Sequence, residues 1–343
     1  MNYRSGGPRS FNTVKRSNRE ERRKRLRQCE KTLFAIVIAF ALLLVSAFVL
    51  LVCNVAVDIQ SRRASHEENT LDTPKLPEIT YEMITRKSRT DCQAGELVVV
   101  NKHHEYLFPR SDADKLVNLV GGLSADGKAS YRIKDSQNAR LQSEAAEQLD
   151  ALLNQYYNQT GTSLMVLHTY RSKADQESVS VNSGVAPGFS EHHTGLLVAL
   201  SQGSDFTSDF AEQEQRLFEI CHQYGFIQRY PEGKSGLTGV TDYGECLRYV
   251  GVAHATYIYN NGLCLEEYVE MLRRNHVSTN GTDGKHLAID TNKDGTADYA
   301  VYYVPKNESS DLTAIPVPKG EGISYTVSGD NIGGFIVTVT LRS

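Results

Sequence analysis

Ser190-Glu191-His192-His193-Thr194-Gly195 gathers a hydroxyl, a carboxylate and two imidazoles immediately before the apolar run Leu196–Leu200. The pattern reads as a loop that delivers one imidazole, His192, to a site and then enters a strand. A neutral imidazole there can ligate a metal or accept a proton. His193 is expected to point away if the backbone is extended. Upstream, Ser163-Leu164-Met165-Val166-Leu167-His168-Thr169-Tyr170 reads as a strand ending at Tyr170-Arg171-Ser172, with Gln176 following. His168 is first read as packed or hydrogen-bonded; a polar cleft wall and a third metal ligand are its alternatives. Arg171 taken alone is a surface residue. A different chemistry is suggested by Asp290, Asn292, Asp294 and Asp298, which stand at the first, third, fifth and ninth positions of a loop with Gly295 at the sixth, as in a calcium loop. Position twelve is Val301, however, and the flanks read as strands. An Asp294-Gly295 hairpin turn is therefore preferred over a calcium site.

The run Ser190-Glu191-His192-His193-Thr194-Gly195-Leu196-Leu197-Val198-Ala199 resembles the opening motif of the VanY-type D-alanyl-D-alanine carboxypeptidases, Ser-Glu-His-x-Thr-Gly-Leu-Ala-Val-Asp. Tyr170-Arg171-Ser172 with Gln176, Tyr224-Gly225-Phe226 through Arg229-Tyr230-Pro231, and Arg248-Tyr249-Val250-Gly251 resemble further segments of that family, over about Glu96 to Leu272. The resemblance implies a zinc peptidase that trims bacterial stem peptides. It would have two histidines and an aspartate on the metal and a glutamate as general base. His192 keeps the first ligand position, but Ala199 stands at the aspartate, Cys246 at the second histidine and Tyr243 at the base. Cys246 is an acceptable ligand as a thiolate, and a centre rebuilt from His192, Cys246 and His168 is one alternative. Such a centre still lacks a base, because Glu245, adjacent to Cys246 on a strand, points to the opposite face. By the same resemblance, Tyr170, Arg171, Gln176 and Ser190 line a cleft and hold a peptide carboxylate.

The elements that must position these groups follow from periodicity. Leu141, Ala145, Leu149, Leu152 and Tyr156 fall on one face at helical spacing, and Phe210 to Tyr224 reads as a second amphipathic helix. Glu96–Lys102 opens the domain with a strand. Beyond Arg274 short strand-like runs alternate with turns, a β-rich region of 275–343 without a legible role. The expected class is α+β: a VanY-type domain over 92–274 with a small C-terminal β-rich appendage.

Ahead of it, Thr32 to Cys53 is uncharged and apolar, long enough for a transmembrane helix within 32–55. The tail 1–31 carries eleven Lys and Arg against three Glu, which the positive-inside rule places in the cytoplasm. Residues 56–91, polar and broken by Pro74 and Pro77, read as an extracytoplasmic stalk. The expected protein is thus a single-pass protein of a bacterial cell membrane, with no nucleic-acid partner. Cys92, Cys221, Cys246 and Cys264 would be exported, and could form two disulfides in any of three pairings. The expected function is a pseudoenzyme that binds peptidoglycan stem peptide or a cell-wall or division protein, with zinc implied by the family yet not retained. An active zinc carboxypeptidase with a reorganised site and a structural scaffold of a membrane complex are the alternatives.

Overall fold

A computed structural model describes residues 79–342 apart from 124–126, 202–209, 241–245, 276–285 and 321. The basic tail, the Thr32–Cys53 run and most of the expected stalk lie outside the described residues. Among the described residues no helix is long and apolar enough to cross a membrane. The segment expected to be stalk differs towards its end. Tyr81–Lys87 forms β1, from which Tyr81 and Ile84 pack against an apolar core.

The strands that follow are β2 (Leu116–Asn118), β3 (Gly122–Leu123), β4 (Ala129–Ile133) and β5 (Arg140–Gln142). After them come β6 (Leu164–His168), β7 (Leu197–Ser201), β8 (Phe226–Gln228) and β9 (Cys246–Tyr249). Six of these make one sheet in the order β3-β4-β6-β7-β9-β8. The helix α1 (Ser143–Thr160) packs Ala145, Leu149, Leu152 and Tyr156 on its face, against Val166, Val198, Leu200 and Leu247. The helical spacing read from the sequence therefore marks the core. Gly161, at φ 71°, ends the helix in the left-handed conformation.

Alternation puts Val198 and Leu200 of β7 in that core and leaves Leu197 and Ala199 on the opposite face, where the sheet lines a cleft. The same rule applied to β6 would send His168 into the core with Leu164 and Val166. The register prevents it. Val166 pairs with Leu200, but His168, not Leu167, pairs with Ala199. The extra residue is a β-bulge that turns His168 out to the cleft.

Past α2 (Lys173–Ser183), α3 (Phe210–Cys221), α4 (Val252–Asn261) and α5 (Leu265–Arg274), the chain forms β10 (Leu287–Ile289), β11 (Tyr299–Pro305), β12 (Leu312–Pro318), β13 (Ser324–Gly329) and β14 (Gly334–Thr340). An antiparallel sheet runs β10-β11-β14-β13, and β12 pairs instead with β1 from Tyr81↔Pro318 to Lys87↔Leu312. The C-terminal β-rich region is thus present and buried on both faces. Tyr302, Val304, Phe335 and Val337 meet Ile84, Ile315 and Val317 of the β1–β12 ribbon, while Val301, Tyr303 and Ile336 meet Leu265, Tyr268 and Val269 of α5.

Candidate functional site

Glu191–Thr194 is a short 3-10 turn, so the backbone at His192 and His193 is not extended. Gly195 closes it at φ 67°, where a Cβ would lie 2.5 Å from Leu116 Cδ2. Only glycine suits both the conformation and the space. The turn separates the two imidazoles. His192 Nδ1 pairs with the Thr169 carbonyl at 2.8 Å, which leaves Nε2 for the cleft that His192 lines. Burial first, and then the neighbouring Arg171 guanidinium, hold its pKa down at about 3, so the ring is neutral. His193 is 1% exposed and still directed away from His192, by the turn and not by strand alternation, with Nδ1 bonded to the Arg171 carbonyl and Nε2 accepting from the Gly188 amide. It pins the chain around the site and stays out of it.

The cleft floor is a row across three strands. His168 pairs with Ala199, and Ala199 with Cys246, so the three side chains stand on one face with the smallest in the middle. His168 is exposed in the cleft, its ring centroid 6.1 Å from that of His192. The expectation of a packed His168 is therefore corrected, and the bulge is the cause. The cleft encloses about 1300 Å³, above the usual range for small-molecule pockets.

Of the residues expected to hold a ligand, Arg171, Gln176 and Ser190 line the cleft. Gln176 is fully buried, accepting from Arg171 Nη1 at 2.8 Å and donating to the Val185 carbonyl. Its part is to aim Arg171. Ser172 starts α2 with a capping box to Asp175, so Arg171 projects from a fixed helix start. Tyr170 does not line the cleft. Its amide bonds to the Arg140 carbonyl and its ring lies against the Arg140 guanidinium, 4.9 Å from centroid to Cζ.

Beside the cleft a charge network centres on Glu191, which residue patterns alone did not reveal. Glu191, 3% exposed, accepts from Arg229 Nε at 2.5 Å and from Arg248 Nε at 2.7 Å, and Arg229 also makes a two-pronged bond to Glu266. Both arginines are fully buried. The acidic residue between the motif serine and histidine is thus a keystone, and the retained Arg229 and Arg248 answer to it. An Arg signal in two apolar segments was the available hint.

These residues do not fit the zinc centre that the family implies. Ala199 offers no donor, and among the described residues no group of three His, Cys, Asp or Glu could hold a metal ion. Tyr243, expected at the base position, and Glu245 lie outside the described residues. Cys92, Cys221, Cys246 and Cys264 are all buried and none is in a disulfide, so neither of the two possible bridges forms. They belong to separate regions: Cys92 to the C-terminal core, Cys221 to the α1 core, Cys264 to the start of α5 and Cys246 to the cleft.

The Asp290–Asp298 loop connects β10 to β11, as the hairpin reading expected. Asp290 accepts from the amides of Asn292, Lys293, Asp294 and Gly295. Arg342 Nη2 donates to Asp294 at 3.0 Å and to the Thr296 carbonyl at 3.2 Å, and Nε donates to Asp298 at 2.8 Å. A guanidinium therefore meets oxygens at the fifth, seventh and ninth positions of the loop, where a calcium ion would be bound.

An α+β scaffold that brings a Ser-x-His turn, an arginine held by glutamine and a sheet face together in one cleft has the architecture of a VanY-like D,D-peptidase. The sequence profile described as VanY, D-alanyl-D-alanine carboxypeptidase, matches residues 138–252. A D-alanyl-D-alanine carboxypeptidase of Enterococcus faecalis (strain ATCC 700802 / V583) is 31% identical over 59% of this chain and 72% of its own length. One of Enterococcus faecium is 28% identical over 76% of this chain and 80% of its own. The crystal structure of the vancomycin-resistance D,D-dipeptidase VanXYg, in complex with a D-Ala-D-Ala phosphinate analogue, superposes with a TM-score of 0.57 at 26% identity, over 76% of this chain and 99% of that one. The chain belongs to the VanY family of D-alanyl-D-alanine carboxypeptidases.

Proposed function

We propose that this protein is a pseudoenzyme of its family, anchored in a bacterial cell membrane with its folded domain outside, which binds a peptidoglycan stem peptide without cleaving it. The observation that carries this reading is the floor of the cleft: alanine stands where the family has an aspartate ligand, while Arg171, Gln176 and Ser190 remain on the lining. Arg171 provides charge-assisted donors for a peptide C-terminal carboxylate. Ser190 Oγ and the acceptor Nε2 of His192 provide polar contacts beside it. A carboxypeptidase step needs an activated water and a base for its proton, and among the described residues the floor supplies neither a carboxylate ligand nor a metal-binding group of three. The membrane reading is supported by the apolar run Thr32–Cys53 behind a basic tail.

The test uses the full-length protein in detergent, exposed to zinc and dialysed. Substoichiometric zinc, no D-alanine release from a stem pentapeptide, and pentapeptide binding that weakens about tenfold or more in Arg171→Ala are expected. Stoichiometric zinc lost in His192→Ala, with D-alanine release, would instead establish a centre rebuilt from His168, His192 and Cys246. Absence of any peptide binding would leave a scaffold role.

A further inference from the structure

The cleft holds a second cation that the peptide-binding reading does not use. Lys102 lines it beside the Thr238–Val240 corner, its aliphatic stem 3.6 Å from where a Cβ on Gly239 would stand. The lysine is carried on a rigid turn. Asn101 and His104 exchange backbone hydrogen bonds at 3.2 and 3.0 Å, Asn101 Oδ1 accepts from the His103 amide, and Asn101 Nδ2 donates to Glu266 of the buried network. The strand-like approach is clamped as well, since the Val99 amide donates to the Asp330 carbonyl and the Val99 carbonyl accepts from Asn331.

No ion pair among the described residues engages the Lys102 ammonium. Of the two carboxylates on the lining among the described residues, Glu191 is committed to Arg229 and Arg248, and Glu214 belongs to α3. A cation with no counter-ion among the described residues, lining a cavity that also contains Arg171, favours a ligand bearing more than one negative charge.

We infer that the cleft selects a peptide with two carboxylates: the C-terminal one met by Arg171, and a second, further up the peptide, met by Lys102. The inference rests on the peptide-binding reading above. A stem peptide in which a D-glutamate is linked through its γ-carboxyl presents such a group, its free α-carboxylate, and amidation of that group removes the charge while keeping the shape.

Isothermal titration calorimetry on the full-length protein in detergent tests this with two synthetic pentapeptides, L-Ala-γ-D-Glu-L-Lys-D-Ala-D-Ala and its analogue carrying the D-Glu α-carboxamide. The acidic peptide is expected to bind about tenfold more tightly than the amide, as befits one charge-assisted contact. Lys102→Gln is expected to bring the two to equal affinity while leaving thermal stability unchanged. Equal binding of the two peptides by the wild type, or a preference that survives Lys102→Gln, overturns the role of Lys102 and leaves the peptide-binding reading standing. Failure of both peptides to bind overturns both.

Discussion

At the scale of single residues, the strongest constraint is Glu191, whose carboxylate is shared between two arginines with no access to water. Removing one partner of such a buried cluster leaves uncompensated charge, so Glu191→Gln is expected to cost about 3–5 kcal/mol of stability, measured by denaturant unfolding at pH 7. A loss below ~1 kcal/mol would mean that Arg229 and Arg248 are satisfied without it. Glu96 is a second case. Burial, and then the nearby Glu144 carboxylate, raise its pKa from 4.5 to about 7. The folded state therefore holds this proton more tightly than the unfolded state does. The stabilisation is complete below pH 4.5 and lost as the pH climbs through about 7. The difference in stability between the wild type and Glu96→Gln should accordingly shrink by roughly 3 kcal/mol across that window. His192 and His254, held at about 3 by burial, act in the opposite sense. Their contribution is present above 6.5 and is lost as the pH falls towards 3. Comparison of the Glu96 pair at each pH cancels this background.

At the scale of elements, the hairpin loop between β10 and β11 carries its own cation. Arg342, next to the C-terminus, meets Asp294, Asp298 and the Thr296 carbonyl, so a divalent ion would have to displace a guanidinium already in place. Addition of calcium should leave the melting temperature of the wild type unchanged, and Arg342→Ala should lower it through repulsion between the freed aspartates. A calcium-dependent rise in the wild type would restore the calcium reading. The ribbon of β1 and β12 makes a related point. Removing residues up to Lys87 would strip the partner from β12 and uncover Ile315 and Val317. An unpaired apolar edge of that kind aggregates. The truncated protein is expected to be insoluble or to melt lower than one that retains Ile79 onward, as thermal scans and sedimentation would show.

At the scale of the whole described unit, the peptidase-like part and the C-terminal sheet share one interior. His254 on α4 bonds to Tyr268 of α5 through Nδ1 and to Thr338 of β14 through Nε2, while Leu97 and Val99 enter the same apolar cluster as Val301 and Ile336. Neither part can lose its packing without exposing the other. Circular dichroism and tyrosine fluorescence, the chain having no tryptophan, should therefore report one coincident unfolding transition. Two separated transitions would show that the β-rich region is an independent appendage after all.

Local pattern carried much of this molecule. The amphipathic face of α1 and the strand after the histidine turn, Ala199 included, are contiguous in sequence, and short-range periodicity is enough to read them. The replacement of the metal-binding aspartate by Ala199 is legible for the same reason. What depended on the tertiary structure were the features set by register and long-range packing. A one-residue bulge moved His168 from the core to the cleft, because slippage by one position exchanges the faces of a strand. Tyr170 came to lie against Arg140 instead of on the cleft lining, the cysteines went to separate regions, and Tyr81–Lys87 left the expected stalk to pair with a strand more than two hundred residues later. Glu191 became a keystone only when two arginines from different segments converged on it. Long-range pairing leaves no periodic trace in the chain, and so only the folded arrangement could decide it.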